Sequence, residues 1–172
     1  MTITQKLRNS KRHSVWSLLT FVSMFSACSG PEKSLASIDL DALQKVALLD
    51  VQPISAEWEI FGTPEYIGSV PGPTDYVTLV AQIKPVDAHA FARRPPAQIV
   101  QLAPEAQRAW LAPAFKSLLD TKSGLTVDLS GNPHCREAHG TLRSNGTPVN
   151  GFACTDGDRM LVYLTLIDAS GI

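Results

Sequence analysis

The chain has 172 residues, which is enough for one domain with a hydrophobic core of its own. Hydrophobic residues make up 44% of it and charged residues 18%, so the composition is that of an ordinary globular protein. Four of the 15 basic residues precede Cys28 in a stretch without acidic residues, which leaves 11 basic against 16 acidic residues. A body with a net charge of about −5 and no basic patch argues against nucleic acid as a partner, because phosphate binding needs clustered Lys and Arg.

The first 27 residues have the layout of an export signal. Residues 1–14 are polar and carry all four of those basic side chains, like the cationic start of a signal peptide. Residues 15–27 are mostly apolar, but a helix of that length rises only about 20 Å against a hydrocarbon core of about 30 Å. No later segment comes near the roughly 18 apolar residues of a membrane span. The sequence therefore predicts a signal peptide over residues 1–27 and no transmembrane helix.

The end of this segment, Phe25-Ser26-Ala27-Cys28, places an apolar residue and two small residues before a cysteine. It resembles the lipobox of bacterial lipoproteins, a resemblance confined to the N-terminal segment. The resemblance implies cleavage before Cys28, a diacylglyceryl thioether on its sulfur, and an amino group open to further acylation. With Ser29 in the next position, it also implies sorting to the outer membrane of a Gram-negative cell. Ordinary cleavage at the same small residues, which would release a soluble protein, is the alternative.

Residues 28–37 are small and polar, and they are predicted to be the lipidated tether of a single domain over residues 38–172. Apolar residues repeat there with the periods of helices and strands. The predicted elements are, in chain order, a helix over 40–49, strands over 58–61 and 76–83, a helical turn over 87–93, a helix over 104–119, and strands over 125–129, 140–143, 151–154 and 160–167. Because helices and strands do not alternate regularly, the sequence predicts an α+β fold, mainly an antiparallel sheet packed against two or three helices.

Individual residues define the ends of these elements. Asp39 is suited to cap the first helix, with Ile38 and Leu43 packed together beside the cap. Pro104 is suited to the first turn of the long helix, and Pro113 predicts a kink in it. The predicted buried stripe of that helix consists of Trp110, Leu111, Phe115, Leu118 and Leu119. Residues 160–167 are apolar on both faces, which predicts a central strand covered on both sides.

The two strands before that central strand are predicted to form a hairpin. Asn145-Gly146 is a strong two-residue turn signal, because a type I′ turn needs positive φ at both central positions. With that turn Ser144 faces Thr147, and the numbers of paired residues add up to 291.

The odd number of cysteines adds a second constraint on this hairpin. If Cys28 carries lipid, Cys135 and Cys154 remain as a pair, and a disulfide between them is predicted for an exported protein. Their numbers add up to 289, so a bulge in residues 148–151 or a longer loop is needed to bring them opposite one another. Two free buried thiols are the alternative.

Five side chains near this hairpin are candidates for binding a metal, namely His134, Glu137, His139, Asp156 and Asp158. Imidazoles and carboxylates together bind zinc and similar ions. However, the spacing of His134 and His139 matches no established ligand pattern, and on a strand the two would face opposite sides of the sheet. Asp156 and Asp158 flank Gly157 as in an ordinary turn. The sequence therefore predicts no metal, with these residues as the candidates should one bind.

Catalytic residues are not predicted either. Asp87-Ala88-His89 would supply a base and a carboxylate, but no nucleophile motif or phosphate loop accompanies it, and no cofactor is expected. The adjacent pair Arg93-Arg94 is interpreted as part of a solvated loop.

A stiff loop before the second strand is a candidate contact surface. Its residues Pro71, Gly72, Pro73, Asp75 and Tyr76 combine restricted backbone with an aromatic ring and a carboxylate, so little entropy is left to lose on binding. An ordinary entry into a strand is the alternative interpretation.

The sequence thus favours a lipid-anchored protein of the bacterial cell envelope, on the periplasmic side of the outer membrane in a Gram-negative cell. Its partners would be the membrane, through Cys28, and a protein, a cell-wall component or a small molecule. We expect a non-catalytic binding or structural module; the alternatives are an anchored hydrolase using His and Asp residues, and an envelope inhibitor or immunity protein.

Overall fold

The computed structural model describes residues 36–63, 76–120 and 125–168. The helices in this part of the chain are α1 (Leu40–Val46), α2 (Ala88–Ala92) and α3 (Pro113–Leu118). The strands are β1 (Ala47–Leu49), β2 (Pro53–Thr63), β3 (Tyr76–Pro85), β4 (Ile99–Gln101), β5 (Thr126–Asp128), β6 (Cys135–Leu142), β7 (Pro148–Asp156) and β8 (Arg159–Asp168). They form a single α+β domain that is mostly antiparallel sheet, as the sequence predicts.

The main sheet has six antiparallel strands in the order β1-β6-β7-β8-β3-β2, and β4 pairs with β5 separately. Strand β8 lies inside the sheet, between β7 and β3. Met160, Val162 and Leu164 of β8 belong to the hydrophobic cluster on one face, whereas Leu161 and Tyr163 belong to the cluster on the other. Successive side chains of a strand point to opposite faces, so this strand contributes to two cores. The prediction that it is a central strand covered on both faces is confirmed.

Two different layers cover the two faces of the sheet. On one face, Leu43 of α1 and Phe91 of α2 are buried against the sheet. On the other face, the chain from Ala97 to Leu119 crosses the strands and buries Leu102, Leu111 and Phe115 among other apolar side chains.

A buried ion pair fastens this crossing segment to β2, an edge strand. Glu59 is 6% exposed, and its carboxylate accepts hydrogen bonds from Nε of Arg108 at 3.1 Å and from the indole N–H of Trp110 at 2.8 Å. A second guanidinium nitrogen of Arg108 pairs with the other carboxylate oxygen. The guanidinium also lies 4.6 Å from the centre of the Phe61 ring, a cation–π contact. The buried carboxylate is therefore fully paired, which is the condition under which a charge is tolerated in a core.

The long helix predicted over residues 104–119 is wrong for most of its length. Only Pro113–Leu118 is helical, with Pro113 starting the helix rather than bending it. Before it, the Ala103 N–H donates to the hydroxyl of Tyr163 at 2.7 Å and the Ala112 N–H donates to the side-chain oxygen of Gln82 at 3.0 Å. A helix over this segment would use the Ala112 N–H for its own hydrogen bonding, but Gln82 accepts it instead, and Glu105 adopts a positive φ of 62°. Of the predicted stripe, Leu111, Phe115 and Leu119 are buried, and Trp110 and Leu118 pack partly buried against them.

The first helix is also shorter than predicted. Asp39 caps it as expected, accepting a hydrogen bond from the Ala42 N–H at 2.9 Å, but Ile38 is 81% exposed, so the predicted packing of Ile38 on Leu43 is wrong. The helix ends at Val46, and the backbone becomes extended at Ala47, because residues 47–49 form strand β1 and pair with residues 140–142 of β6. Of the three strands with three residues each, β1 and β4 were not predicted, whereas β5 lies within the predicted strand over 125–129.

The predicted helical turn over residues 87–93 is present as α2, capped by Asp87. Its carboxylate accepts hydrogen bonds from the N–H groups of His89 and Ala90, both at 2.9 Å. The bond from Ala90 is the largest influence, and it lowers the pKa of Asp87 below the ordinary value of 3.8 against an opposing effect of desolvation. The bond from His89 and the charges of His89 and Arg93 lower this pKa further.

The ion pair of Glu59 gives the first prediction. Glu59→Ala removes the carboxylate that pairs with the buried Arg108 guanidinium and accepts the Trp110 N–H, so we expect the free energy of unfolding to fall by about 3 kcal/mol or more. Urea unfolding measures this. Glu57→Ala is the matched control, because Glu57 lies two residues earlier on the same face of β2 and forms no ion pair within the described residues. Equal losses in the two variants would contradict a specific role for the buried pair.

The cap of α2 gives a prediction for acid pH. Because the pKa of Asp87 is lower in the folded chain than in the unfolded chain, its stabilising effect is complete above the ordinary pKa and disappears as the pH falls through the folded value. We expect Asp87→Ala to be less stable than the wild type at neutral pH and the difference to shrink in acid, as the charged cap becomes a neutral one; urea unfolding over a pH series measures this. Asp87→Asn keeps a capping oxygen without the titrating charge, so its stability should lack this acid dependence. A stability difference that does not change with pH would contradict this account of the cap.

Candidate functional site

The hairpin of β6 and β7 is held by the predicted disulfide, which is confirmed. Cys135 and Cys154 are bonded with an S–S distance of 2.04 Å and lie directly opposite one another. Every pair in this hairpin follows the cysteine register, from Cys135 opposite Cys154 to Thr141 opposite Pro148. The numbers of paired residues therefore add up to 289 throughout.

The predicted type I′ turn is wrong, and residues 143–146 form a longer loop instead. The Leu142 N–H donates to the carbonyl of Thr147 at 2.8 Å, and the Gly146 N–H donates to the carbonyl of Leu142 at 2.9 Å. Gly146 has a positive φ of 73°, but Asn145 does not, so only one of the two conformations that a type I′ turn needs is present. The Asn145 side chain accepts the Thr147 N–H at 3.0 Å, which stabilises the loop locally.

This register places His139 opposite Asn150. Nδ1 of His139 lies 2.8 Å from the side-chain oxygen of Asn150. An amide oxygen only accepts hydrogen bonds, so Nδ1 is the donor here, and in the neutral imidazole Nε2 then has the lone pair. The imidazole, on an exposed residue, is thus held in one tautomer and one orientation.

Along the edge of β6, strand pairing is interrupted at His139, and a carboxylate binds the backbone there. Strand β1 pairs with residues 140–142, and residues 95–97 run beside residues 135–137. Between these two partners, the His139 N–H donates to the carboxylate of Asp50 at 2.8 Å, and its carbonyl accepts the Asp50 N–H at 3.2 Å. The Asp50 side chain therefore takes the place of the missing strand at this position.

Arg94 is held in place by contacts with Asp50 and Phe91. The interpretation of Arg93-Arg94 as a solvated loop is therefore wrong for Arg94. Its guanidinium pairs with the Asp50 carboxylate, donates to the Asp50 carbonyl at 2.8 Å and lies 5.4 Å from the ring centre of Phe91. Its side chain is 26% exposed. Arg93, by contrast, is exposed.

A groove of about 350 Å³ lies beside the imidazole, and we call it the His139 groove. It is lined by Ala97, Gln98, Ile99, Val100, Glu137, His139, Asn150 and Gly151. Glu137 and His139 are two residues apart on β6, so their side chains project from the same face of the sheet. Glu137 is half-buried and forms no ion pair within the described part of the chain. The groove therefore combines a carboxylate, an oriented imidazole and an amide.

Gly151 keeps β7 close to β8 at this site. A Cβ atom at Gly151 would lie 1.9 Å from the carbonyl oxygen of Tyr163, far inside contact distance. The residue after Asn150 must therefore be glycine for the two strands to pack as they do.

The other metal candidates lie away from the groove. His134 precedes β6 and is exposed, five residues and about 17 Å along an extended chain from His139. Asp156 and Asp158 flank the turn between β7 and β8, where Asp158 pairs with Lys84 at 3.5 Å on the surface. In the described residues no three His, Cys, Asp or Glu side chains come together as a metal site.

The remaining candidates are also separate from the groove. His89 lies on α2, where its N–H bonds Asp87, and its side chain is exposed. Residues 71–75 of the candidate binding loop lie outside the described residues, and Tyr76 begins β3. A groove of about 330 Å³ between α1 and β1 and a polar one of about 490 Å³ beside Lys84 contain no histidine.

Sequence reasoning missed Asp50, Arg94 and Asn150 as the supports of this site. Asp50 lies 89 positions from His139, and no spacing rule joins them. Asn150 was accessible in principle, because the cysteine register places it opposite His139.

Comparisons with known proteins suggest no function for this chain, so any function has to be inferred from the geometry of the groove. No protein-family model, no curated protein and no solved structure matches this chain. Within the described residues, no helix is long and apolar enough to cross a membrane.

The support of His139 by Asp50 gives a testable prediction. Asp50→Ala removes the acceptor of the His139 N–H and the partner of Arg94, so we expect the free energy of unfolding to fall by about 2 kcal/mol. The amide of His139 should also exchange with solvent faster, as measured by hydrogen exchange. Asp158→Ala is the control, because its ion pair with Lys84 is exposed and should contribute little. Unchanged protection of the His139 amide in Asp50→Ala would refute this role.

Proposed function

We propose that this chain is a lipid-anchored protein of the bacterial cell envelope whose domain is a non-catalytic binding module, with the His139 groove as its ligand-contacting surface. The membrane is one partner, through lipid on Cys28. The other is a protein, a cell-wall component or a small molecule that enters the groove.

The pairing of cysteines is the observation that carries the proposal. Of the three cysteines in the chain, Cys135 and Cys154 are joined in a buried disulfide, which leaves Cys28 as the one remaining thiol. A disulfide of this kind fits an oxidising compartment, which is where the export signal would send the chain. The unpaired cysteine is also the one that the lipobox pattern selects for acylation.

The start of the domain is consistent with a short tether. Ser37 exchanges two backbone hydrogen bonds with Trp58 of β2, at 2.7 and 2.8 Å, so the chain is attached to the sheet from this residue onward. Ser37 lies nine positions after Cys28, and an extended chain of that length reaches about 30 Å. A domain on such a tether would stay near the membrane surface and meet ligands in the periplasm.

A binding role fits the site better than the alternative of an anchored hydrolase. The His139 groove holds one imidazole and one carboxylate, those of His139 and Glu137, but among the described residues no Ser, Thr or Cys lines it that could act as a nucleophile. His89 and His134 lie elsewhere on the fold. No observation favours the inhibitor alternative over other binding roles.

Metabolic labelling with a palmitate analogue tests the anchor. We expect label on the wild-type chain and none on Cys28→Ala. The double variant Cys135→Ala/Cys154→Ala is the matched control, because it removes two cysteines but keeps the lipobox, and it should remain labelled.

Mass spectrometry of the N-terminal peptide gives the second readout. We expect the native chain to begin at Cys28 with a lipid-modified residue. An unmodified N-terminus at or near Cys28, together with an unlabelled and water-soluble protein, would instead establish ordinary secretion and overturn the anchored part of the proposal.

A further inference from the structure

We propose that the His139 groove binds a divalent transition-metal ion of the zinc class, held by Nε2 of His139 and the carboxylate of Glu137. Two protein ligands leave the other coordination positions to water or to a donor group of an incoming ligand. The inference deepens the proposed binding role, since it names the ligand class of the same groove, and it does not depend on the lipid anchor.

The strand geometry brings the two ligands to one place. Residues i and i+2 of a strand project from the same face about 7 Å apart. Zinc binds imidazole nitrogen and carboxylate oxygen at about 2.0–2.2 Å, so an ion between the two side chains is within reach of both. Glu137 and His139 hold this relation on β6, and both line the groove.

The imidazole is prepared for coordination by its other nitrogen. Histidines that bind metals usually donate the second ring N–H to a protein oxygen, which fixes the tautomer and orients the ring. Asn150 accepts that bond from Nδ1 at 2.8 Å. The nitrogen left for a ligand is therefore Nε2, and Asn150 is a positioning residue.

The backbone beneath these side chains is held at two points. The Cys135–Cys154 disulfide joins β6 to β7 two residues before Glu137, and the Asp50 carboxylate fixes the N–H of His139 itself. A site on a rigid strand keeps its geometry without the ion, so less order has to be created on binding.

Charge and ligand type select the ion. The carboxylate of Glu137 forms no ion pair within the described chain, so a cation would supply the counter-charge. A neutral imidazole together with a carboxylate favours zinc and its neighbours over calcium and magnesium, which prefer oxygen ligands throughout.

The test is titration of the native, untagged full-length protein in detergent after removal of metals. We expect calorimetry with Zn²⁺ to show one ion per chain, with Kd raised about 100-fold or more in His139→Ala and about 10–100-fold in Asn150→Ala. Glu137→Gln should also weaken binding. Paramagnetic Ni²⁺ should broaden the amide signals of residues 137–140 and 149–151 before any others in the nitrogen–proton NMR spectrum.

His134→Ala is the matched control, because His134 lies just before β6 and outside the groove, and its Kd should be close to that of the wild type. In Asn150→Ala, the nitrogen chemical shifts of the His139 ring should show loss of the Nδ1–H tautomer, whereas Asn150→Asp should restore both tautomer and affinity. Unfolding midpoints of all variants separate loss of the site from loss of the fold.

The inference is overturned if the wild-type chain binds no Zn²⁺, or if His139→Ala binds as tightly as the wild type while His134→Ala does not. Either result, obtained on a chain that carries lipid at Cys28, would leave the anchored binding module standing and remove only the metal.

Discussion

The register of β6 against β7 is the constraint on which the site depends, and one covalent bond marks it. Cys135 and Cys154 lie opposite one another, and every other pair in the hairpin follows from that match. His139 faces Asn150 in this register, whereas in the register of a two-residue turn at Asn145-Gly146 it would face Phe152. An apolar ring has no acceptor for Nδ1, so the orientation of the imidazole is a consequence of the disulfide-matched pairing.

Burial alone would not have chosen between these registers. Side chains alternate between the faces of a strand, so a slip of two residues returns each one to its own face, and only a slip of one residue would expose the core. Ala138 and Ala153 stay in one core, and Phe152 and Cys154 in the other, under either pairing. The strands predicted over residues 140–143 and 151–154 cover only part of β6 and β7, and the cysteines carried the information about register that the hydrophobic pattern lacks.

The same distinction explains which elements could be predicted. The central strand β8 was recognisable because its apolar residues occupy both alternating positions, a local property of residues 160–167. The segment before α3 was not, because distant side chains hold it: Gln82 accepts the N–H of Ala112, which a helix would use, and Tyr163 accepts that of Ala103 just before the predicted helix. A short sequence window contains no trace of those acceptors, and the short strand β1 likewise exists only because β6 lies beside it.

The His139 groove shows the limit most clearly, since its polar side chains were partly foreseen and its supports were not. The sequence named His139 as one of five candidates, but it gave no sign of Asp50, which accepts the His139 N–H, or of Arg94, which pairs with Asp50. Asp50 and Arg94 meet at the gap between β1 and residues 95–97 along the edge of β6. The N–H of His139 has no strand partner in this gap, so the Asp50 carboxylate accepts it instead. The contact that closes the sheet edge, from the His139 N–H to Asp50, therefore fixes the backbone that carries the imidazole, while Asn150 orients the ring.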